Sequence, residues 1–130
     1  MILHIPTGRI SYTRASHPPV VHYQKSEKDI DLLDTKGMFV AMLEDGMYEE
    51  DNSLIKVGDK MIFFTDGIDE AVNPERERYG KDKLYEIIES NGESSIEELG
   101  NNIIDDVRKF ADGVAFEDDV TLLILERNSE

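Results

Sequence analysis

The chain has no cysteine, only four prolines among its 130 residues, and half as many basic side chains as acidic ones, 14 against 29. Without cysteine there is no disulfide framework, and a zinc site built on thiolates is excluded. No apolar run approaches the length of a membrane span. The opening stretch, MILHIPTGRI, lacks both the basic and the long apolar region of a secretory signal, so the expected compartment is the cytoplasm. A formal net charge of −15 argues against attraction to nucleic acid or to an anionic membrane. Solubility is the plain reading of that acidity. No histidine pair has metal-ligand spacing, no DxDxDG calcium loop occurs, and no repeat or linker divides the chain. The length is that of one ordinary domain, able to bury a core.

What is present is organised around residues 60–70, KMIFFTDGIDE. Met61 to Phe64 show no alternation, so they read as a strand buried on both faces, ending on Thr65-Asp66-Gly67. A carboxylate at the end of such a strand is held by rigid backbone and projects toward solvent, where a cation can meet it. Asp66 is therefore a candidate ligand, the alternative being that Asp-Gly merely makes a turn. Near the C-terminus Glu117-Asp118-Asp119 leads into the apolar run 120–125. If the two strands are antiparallel neighbours, the end of one lies beside the start of the other, and Asp66 converges with Asp118 and Asp119 on one rim. Clustered carboxylates repel unless a cation or a proton compensates them, and hard oxygen ligands suit magnesium, manganese or calcium.

In order, residues 1–5 and 9–14 read as strands joined by the turn Pro6-Thr7-Gly8, and Val20 to Tyr23 as another. His17, beside two prolines, could orient a phosphate, although a turn histidine is more often a structural hydrogen-bond donor. His4 and His22 lie inside strands. Residues 25–35 read as a loop or edge strand. The apolar run 37–43 is expected to fill core with Met38 and Met42, before a turn at Glu44-Asp45-Gly46. Leu54, Ile55 and Val57 suggest a strand that forms a hairpin with the organising one through Gly58-Asp59. After Gly67 the pattern predicts one helical turn, stopped by Asn73-Pro74, and then a mobile charged loop over 75–78. Glu70 and Asn73 are near enough to reach the site, with solvation the default. Leu84, Ile87 and Ile88 mark one helix. Ser95 and Glu98 form a capping box for a second, whose apolar face is Ile96, Leu99, Ile103, Val107 and Phe110. Strands, then two helices, then a returning strand give an α+β pattern: mainly antiparallel sheet covered by two helices.

Five ordered segments, GRISYTRASHPPVVHY, VGDKM, IFFTDGIDEA, RYGKDKLYEII and EDDVTLLILE, resemble the consecutive signatures of the PPM-type, SpoIIE-like serine/threonine protein phosphatases. Ser16 departs from the family's usual glycine. The resemblance covers residues 1–130 but only the C-terminal portion of the family's domain, part of an α-β-β-α sandwich. The N-terminal portion, which carries an Asp-Gly segment with further metal ligands, is absent. The resemblance implies that Asp66 and Asp118 bind divalent metal, Mn2+ or Mg2+, with Asp118 fitting the ligand position better than Asp119. No side chain would act as nucleophile, because a metal-activated water attacks phosphoserine or phosphothreonine of a regulatory protein, such as an anti-sigma-factor antagonist. Half a ligand set implies a chain weakly active or inactive alone, with an uncovered edge that favours self-association. The alternative is a non-catalytic partner-binding module. Neither reading involves nucleic acid or membrane.

Overall fold

Residues 60–64 form a strand flanked on both sides, because its side chains alternate between two separate apolar layers. The computed structural model describes residues 1–37, 39–40 and 47–129, and there the chain runs β1 (Ile2–His4), β2 (Arg9–Tyr12), β3 (Val20–Gln24), β4 (Asp29–Leu33), β5 (Asp51–Leu54), β6 (Lys60–Phe64), α1 (Asp66–Asp69), α2 (Lys81–Asn91), α3 (Ile96–Ala111) and β7 (Leu122–Glu126). Met38, residues 41–43 of the apolar run with Met42, and the turn at Glu44-Asp45-Gly46 lie outside the described residues. Two antiparallel sheets result, ordered β1-β2-β5 and β4-β3-β6-β7. Ile62 and Phe64 face α2 and α3, in a layer with Val21, Leu84, Ile88 and Leu99. Met61 faces the other way and packs with Ile10, Tyr12, Leu33 and Ile55 between the sheets. The architecture is α+β, in layers of helices, sheet and sheet.

The helices are held chiefly by burial. Leu99, Ile103 and Val107 on α3 are almost wholly buried, each contributing about 2 kcal/mol. The Ser95–Glu98 capping box is present with both of its bonds, and is worth about 1 kcal/mol. The apolar stripe therefore outweighs the cap. Ile96, expected on that stripe, is 43% exposed, at the open end of the helix.

Two sequence expectations change, and one departure from the family pattern is accommodated. The hairpin of β5 with β6 does not form: β5 pairs with β2, and β6 pairs with β3 and β7. The turn at 55–59 instead carries the chain from one sheet to the other, with Ile55 buried between them and its N–H donating to the Gly8 carbonyl at 2.9 Å. Asp59 secures this crossing from a fully buried position, accepting from the backbone of Lys25 and Lys56 and from His22 Nε2 at 3.0 Å. The charged run 75–78 is not a free loop, because Asn73 closes it with its side chain and backbone. Finally, Ser16 adopts the left-handed conformation its glycine counterpart would favour, φ +60°, with its hydroxyl donating to the Gly37 carbonyl. Within residues 25–35 the edge strand β4 forms over Asp29–Leu33, after a turn at 25–28.

Candidate metal centre

At the end of β6 the register pairs Phe64 with Leu122, the first residue of β7. The next residue, Thr65, joins the two strands beyond the ladder. Its N–H donates to the Thr121 carbonyl at 3.1 Å, its hydroxyl donates to the Asp119 carbonyl at 2.9 Å, and the same oxygen accepts from Thr121 N at 2.9 Å. With its hydroxyl spent across the strand, Thr65 makes no side-chain cap to the one-turn helix that begins at Asp66.

Gly67 brings the two acidic segments closer still. A Cβ placed there would lie 2.5 Å from the Asp119 carbonyl oxygen and 3.2 Å from that of Asp118. The backbone of the Asp66 turn thus touches the backbone of Asp118-Asp119, and only hydrogen fits between them. Ile68, fully buried among Phe64, Leu84 and Val107, pins the turn from below. The side chains of Asp66, Asp118 and Asp119 all stand exposed. Asp118 accepts from the Asp119 N–H at 2.7 Å through one carboxylate oxygen.

Every side-chain donor at this rim is a carboxylate, the kind of ligand a hard divalent cation takes. Asp69, in the same turn, is held above the usual carboxylate range, first by burial and then by the nearby charges of Glu70 and Asp66, against the pull of Lys81. Its Oδ1 is buried without a hydrogen-bond partner. Two or three carboxylates leave most of the roughly six positions around such an ion unfilled, and among the described residues no group of three or more acids or histidines is gathered closely enough to hold one.

The remaining candidates are engaged elsewhere. His17 is exposed, its Nδ1 3.0 Å from the carbonyl of the adjacent Pro18, which fits the structural role. Glu70 is engaged by Arg78 at 2.7 Å, and Asn73 is folded into its own loop. Sequence reasoning missed the Thr65 clasp, the buried His22–Asp59 pair and two arginines beside the acids, Arg76 on Glu117 and Arg78 on Glu70. Only a Gly-Asp dipeptide before β6 hinted at the second. No helix among the described residues is long and apolar enough to cross a membrane.

With this geometry in place, residues 1–128 match the family model of stage II sporulation protein E. The chain is 29% identical over 119 residues to phosphoserine phosphatase RsbU of Bacillus subtilis (strain 168), covering 92% of this chain and 35% of that protein. The fold matches the phosphatase domain of the cell fate determinant SpoIIE from Bacillus subtilis with a TM-score of 0.74 at 14% identity, over 99% of this chain and 55% of that one. It matches the RsbU and RsbW domains of Rv1364c from Mycobacterium tuberculosis with a TM-score of 0.77 at 22% identity, over 97% and 34%. The chain thus spans about a third of RsbU and about half of the SpoIIE phosphatase domain.

Proposed function

Because the chain belongs to the SpoIIE family, we propose that it is the C-terminal portion of a PPM-type phosphatase domain and supplies part of a divalent-metal site that hydrolyses phosphoserine or phosphothreonine on a regulatory protein. The observation that carries this reading is the clasp of Thr65 on Asp119 and Thr121, which sets the Asp66 turn against Asp118. Asp66 and Asp118 would hold Mn2+ or Mg2+, with Asp119 beside them. When bound, such a cation makes water acidic enough to attack at neutral pH and neutralises charge on the phosphoryl oxygens. The chain's own contribution is positional: Thr65 and Gly67 fix the spacing of the carboxylates, and Ile68 anchors the turn that bears one of them.

Half a ligand set predicts weak or no turnover by this chain alone. Among the described residues β7 is the last strand of its sheet, so its outer edge is unpaired, and it exposes Leu123 (51%) and Leu125 (42%). Leu125 lines a cleft with Leu3, Ile5, Val57 and Met61. An N-terminal portion of the domain bearing further metal ligands would cover this edge; left open, the same edge favours self-association. The substrate class is a phosphorylated partner of a sigma-factor switch, supported by the likeness to RsbU and to a chain that joins RsbU and RsbW domains.

Isothermal titration with Mn2+, comparing wild type with Asp66→Asn and Asp118→Asn, tests the site, because non-specific binding to so acidic a chain survives a single substitution. Binding weakened at least tenfold in each variant, a loss typical of a removed ligand contact, is the expected result. Equal titrations in all three proteins favour the partner-binding module instead. Robust phosphatase turnover by wild type, abolished in Asp66→Asn, would overturn the half-site while keeping the phosphatase.

A further inference from the structure

We propose that the loop from Asn73 to Arg78 is the part of this chain that recognises the phosphorylated group, with Arg76 and Arg78 as its phosphate-binding side chains; the inference rests on the phosphatase reading above. The loop is rooted in the turn that carries Asp66. Tyr79 N donates to the Ala71 carbonyl at 2.7 Å, Gly80 N donates to the Asp69 carbonyl at 2.9 Å, and Val72 bridges to Arg78. Any displacement of the loop is therefore a displacement of the Asp66 turn. Within the loop, Asn73 spends a buried side chain on closure: its Nδ2 donates to Glu77 Oε2 at 3.0 Å, its Oδ1 accepts from Glu77 N at 2.8 Å, and its carbonyl accepts from Arg76 N at 3.0 Å. This closure holds Arg76 at φ +65°, a conformation that a residue with a Cβ adopts only when its surroundings impose it.

The two guanidinium groups flank the rim. Arg76 Nη1 lies 3.0 Å from Glu117, the residue before Asp118, and Arg78 Nη1 lies 2.7 Å from Glu70, which ends the turn begun by Asp66. Both pairs stand in solvent, with the arginine side chains 76% and 66% exposed. Exposed pairs of this kind are held weakly. As structural ties they do not account for a strained residue and a buried asparagine spent on presenting them. A phosphate dianion is the stronger partner, because it takes a guanidinium through two parallel charge-assisted hydrogen bonds. It also meets an obstacle in a chain of net charge −15, one that cationic side chains placed beside the acids remove locally. Glu117 and Glu70 act as stand-ins that the phosphoserine displaces, and the arginines then hold the phosphoryl group beside Asp66 and Asp118.

The test uses the full 130-residue chain and fluorescence anisotropy of a fluorescein-labelled peptide carrying one phosphoserine, against the same peptide without phosphate. Wild type is expected to prefer the phosphorylated form. Arg76→Ala/Arg78→Ala should weaken that form about tenfold, the scale of lost hydrogen bonds to a charged group, and leave the unphosphorylated form unchanged. Arg76→Lys/Arg78→Lys, keeping charge but not the fork, should fall between. Lys28→Ala, which removes one charge from the exposed Lys28–Glu93 pair near the opposite end of β6, should behave as wild type and so rule out a general charge effect. Thermal melting confirms that each variant is folded. No phosphate preference in wild type, equal affinity in the double alanine variant, or an equal loss caused by Lys28→Ala overturns the proposal. Mn2+ titration of the same proteins reads the metal site separately, so a wild type that ignores Mn2+ refutes the phosphatase reading without deciding the arginine contrast.

Discussion

Replacing Gly67 with alanine adds one methyl group at the point where the rim is narrowest. That carbon would sit 2.5 Å from the Asp119 carbonyl oxygen, whereas ordinary contact begins near 3.4 Å, so the two segments must part by about 0.9 Å. The obstructing atom is backbone and already accepts the Thr65 hydroxyl, so it has no rotamer to escape into. Overpacking of this kind costs about 1–3 kcal/mol. At about 4 °C per kcal/mol for a domain of this size, Gly67→Ala should melt roughly 4–12 °C below wild type. The same shift separates Asp66 from Asp118 by more than the roughly 0.2 Å that metal coordination tolerates, so Mn2+ affinity should fall on the order of tenfold or more. Gly100→Ala is the matched control: in the middle of α3 its Cβ would meet only Ile124 Cδ1, at 3.6 Å. Alanine is worth up to about 1 kcal/mol over glycine in a helix interior, so this variant should melt higher and titrate as wild type. A Gly67→Ala protein that melts with wild type and binds Mn2+ equally well would refute the claim that these backbones are in contact.

Thr65→Val keeps the shape but removes the hydroxyl that serves Asp119 and Thr121; because those partners are open to water, it should lose only about 0.5–1.5 kcal/mol by denaturant titration, the net worth of an intramolecular hydrogen bond. Asp59→Ala strands His22 Nε2 and the N–H groups of Lys25 and Lys56, so a loss of about 3 kcal/mol or more is expected, and wild-type stability would show that water replaces the carboxylate. Tyr79 is buried, donates to Asp106 at 2.6 Å and stands near other acids, and all three effects, burial first, raise its pKa. Because the folded chain keeps this proton when the unfolded chain has lost it, stability from Tyr79 is present below about pH 10, the ordinary tyrosine value, and is lost as pH rises above it. Melting curves above that pH should fall less steeply in Tyr79→Phe than in wild type, and parallel slopes would count against the assignment.

The elements most legible in the sequence were those whose pattern is local. A capping box and a helical apolar stripe specify α3 without reference to anything else, and an unbroken apolar run marks β6 as interior. The adjacency of the two acid-bearing segments was legible because two such runs each end or begin in acids, and antiparallel pairing is the simplest relation between them. The partner of β5 was not legible, because Asp51-Asn52-Ser53-Leu54 carries no apolar alternation and proximity along the chain favoured a hairpin. Pairing with β2 is decided instead by Ile55, which needs the space between two sheets. The Arg76 loop was misread for a related reason. A run of charges suggests solvation, and its order comes from one asparagine whose role depends on closing a turn in three dimensions.

The Thr65 clasp joins positions 54 apart in the chain, with α2 and α3 folded between them. Asp66 therefore has no companion until both helices have packed and the final strand has zipped onto β6. Contacts so distant in sequence tend to form late in folding, which makes an assembled rim a sign that the fold is finished. A cation held only by the finished form stabilises it in proportion to the logarithm of its concentration over its Kd. The metal would then act as a rivet at a late-closing seam, and the protein's stability would track the supply of the ion.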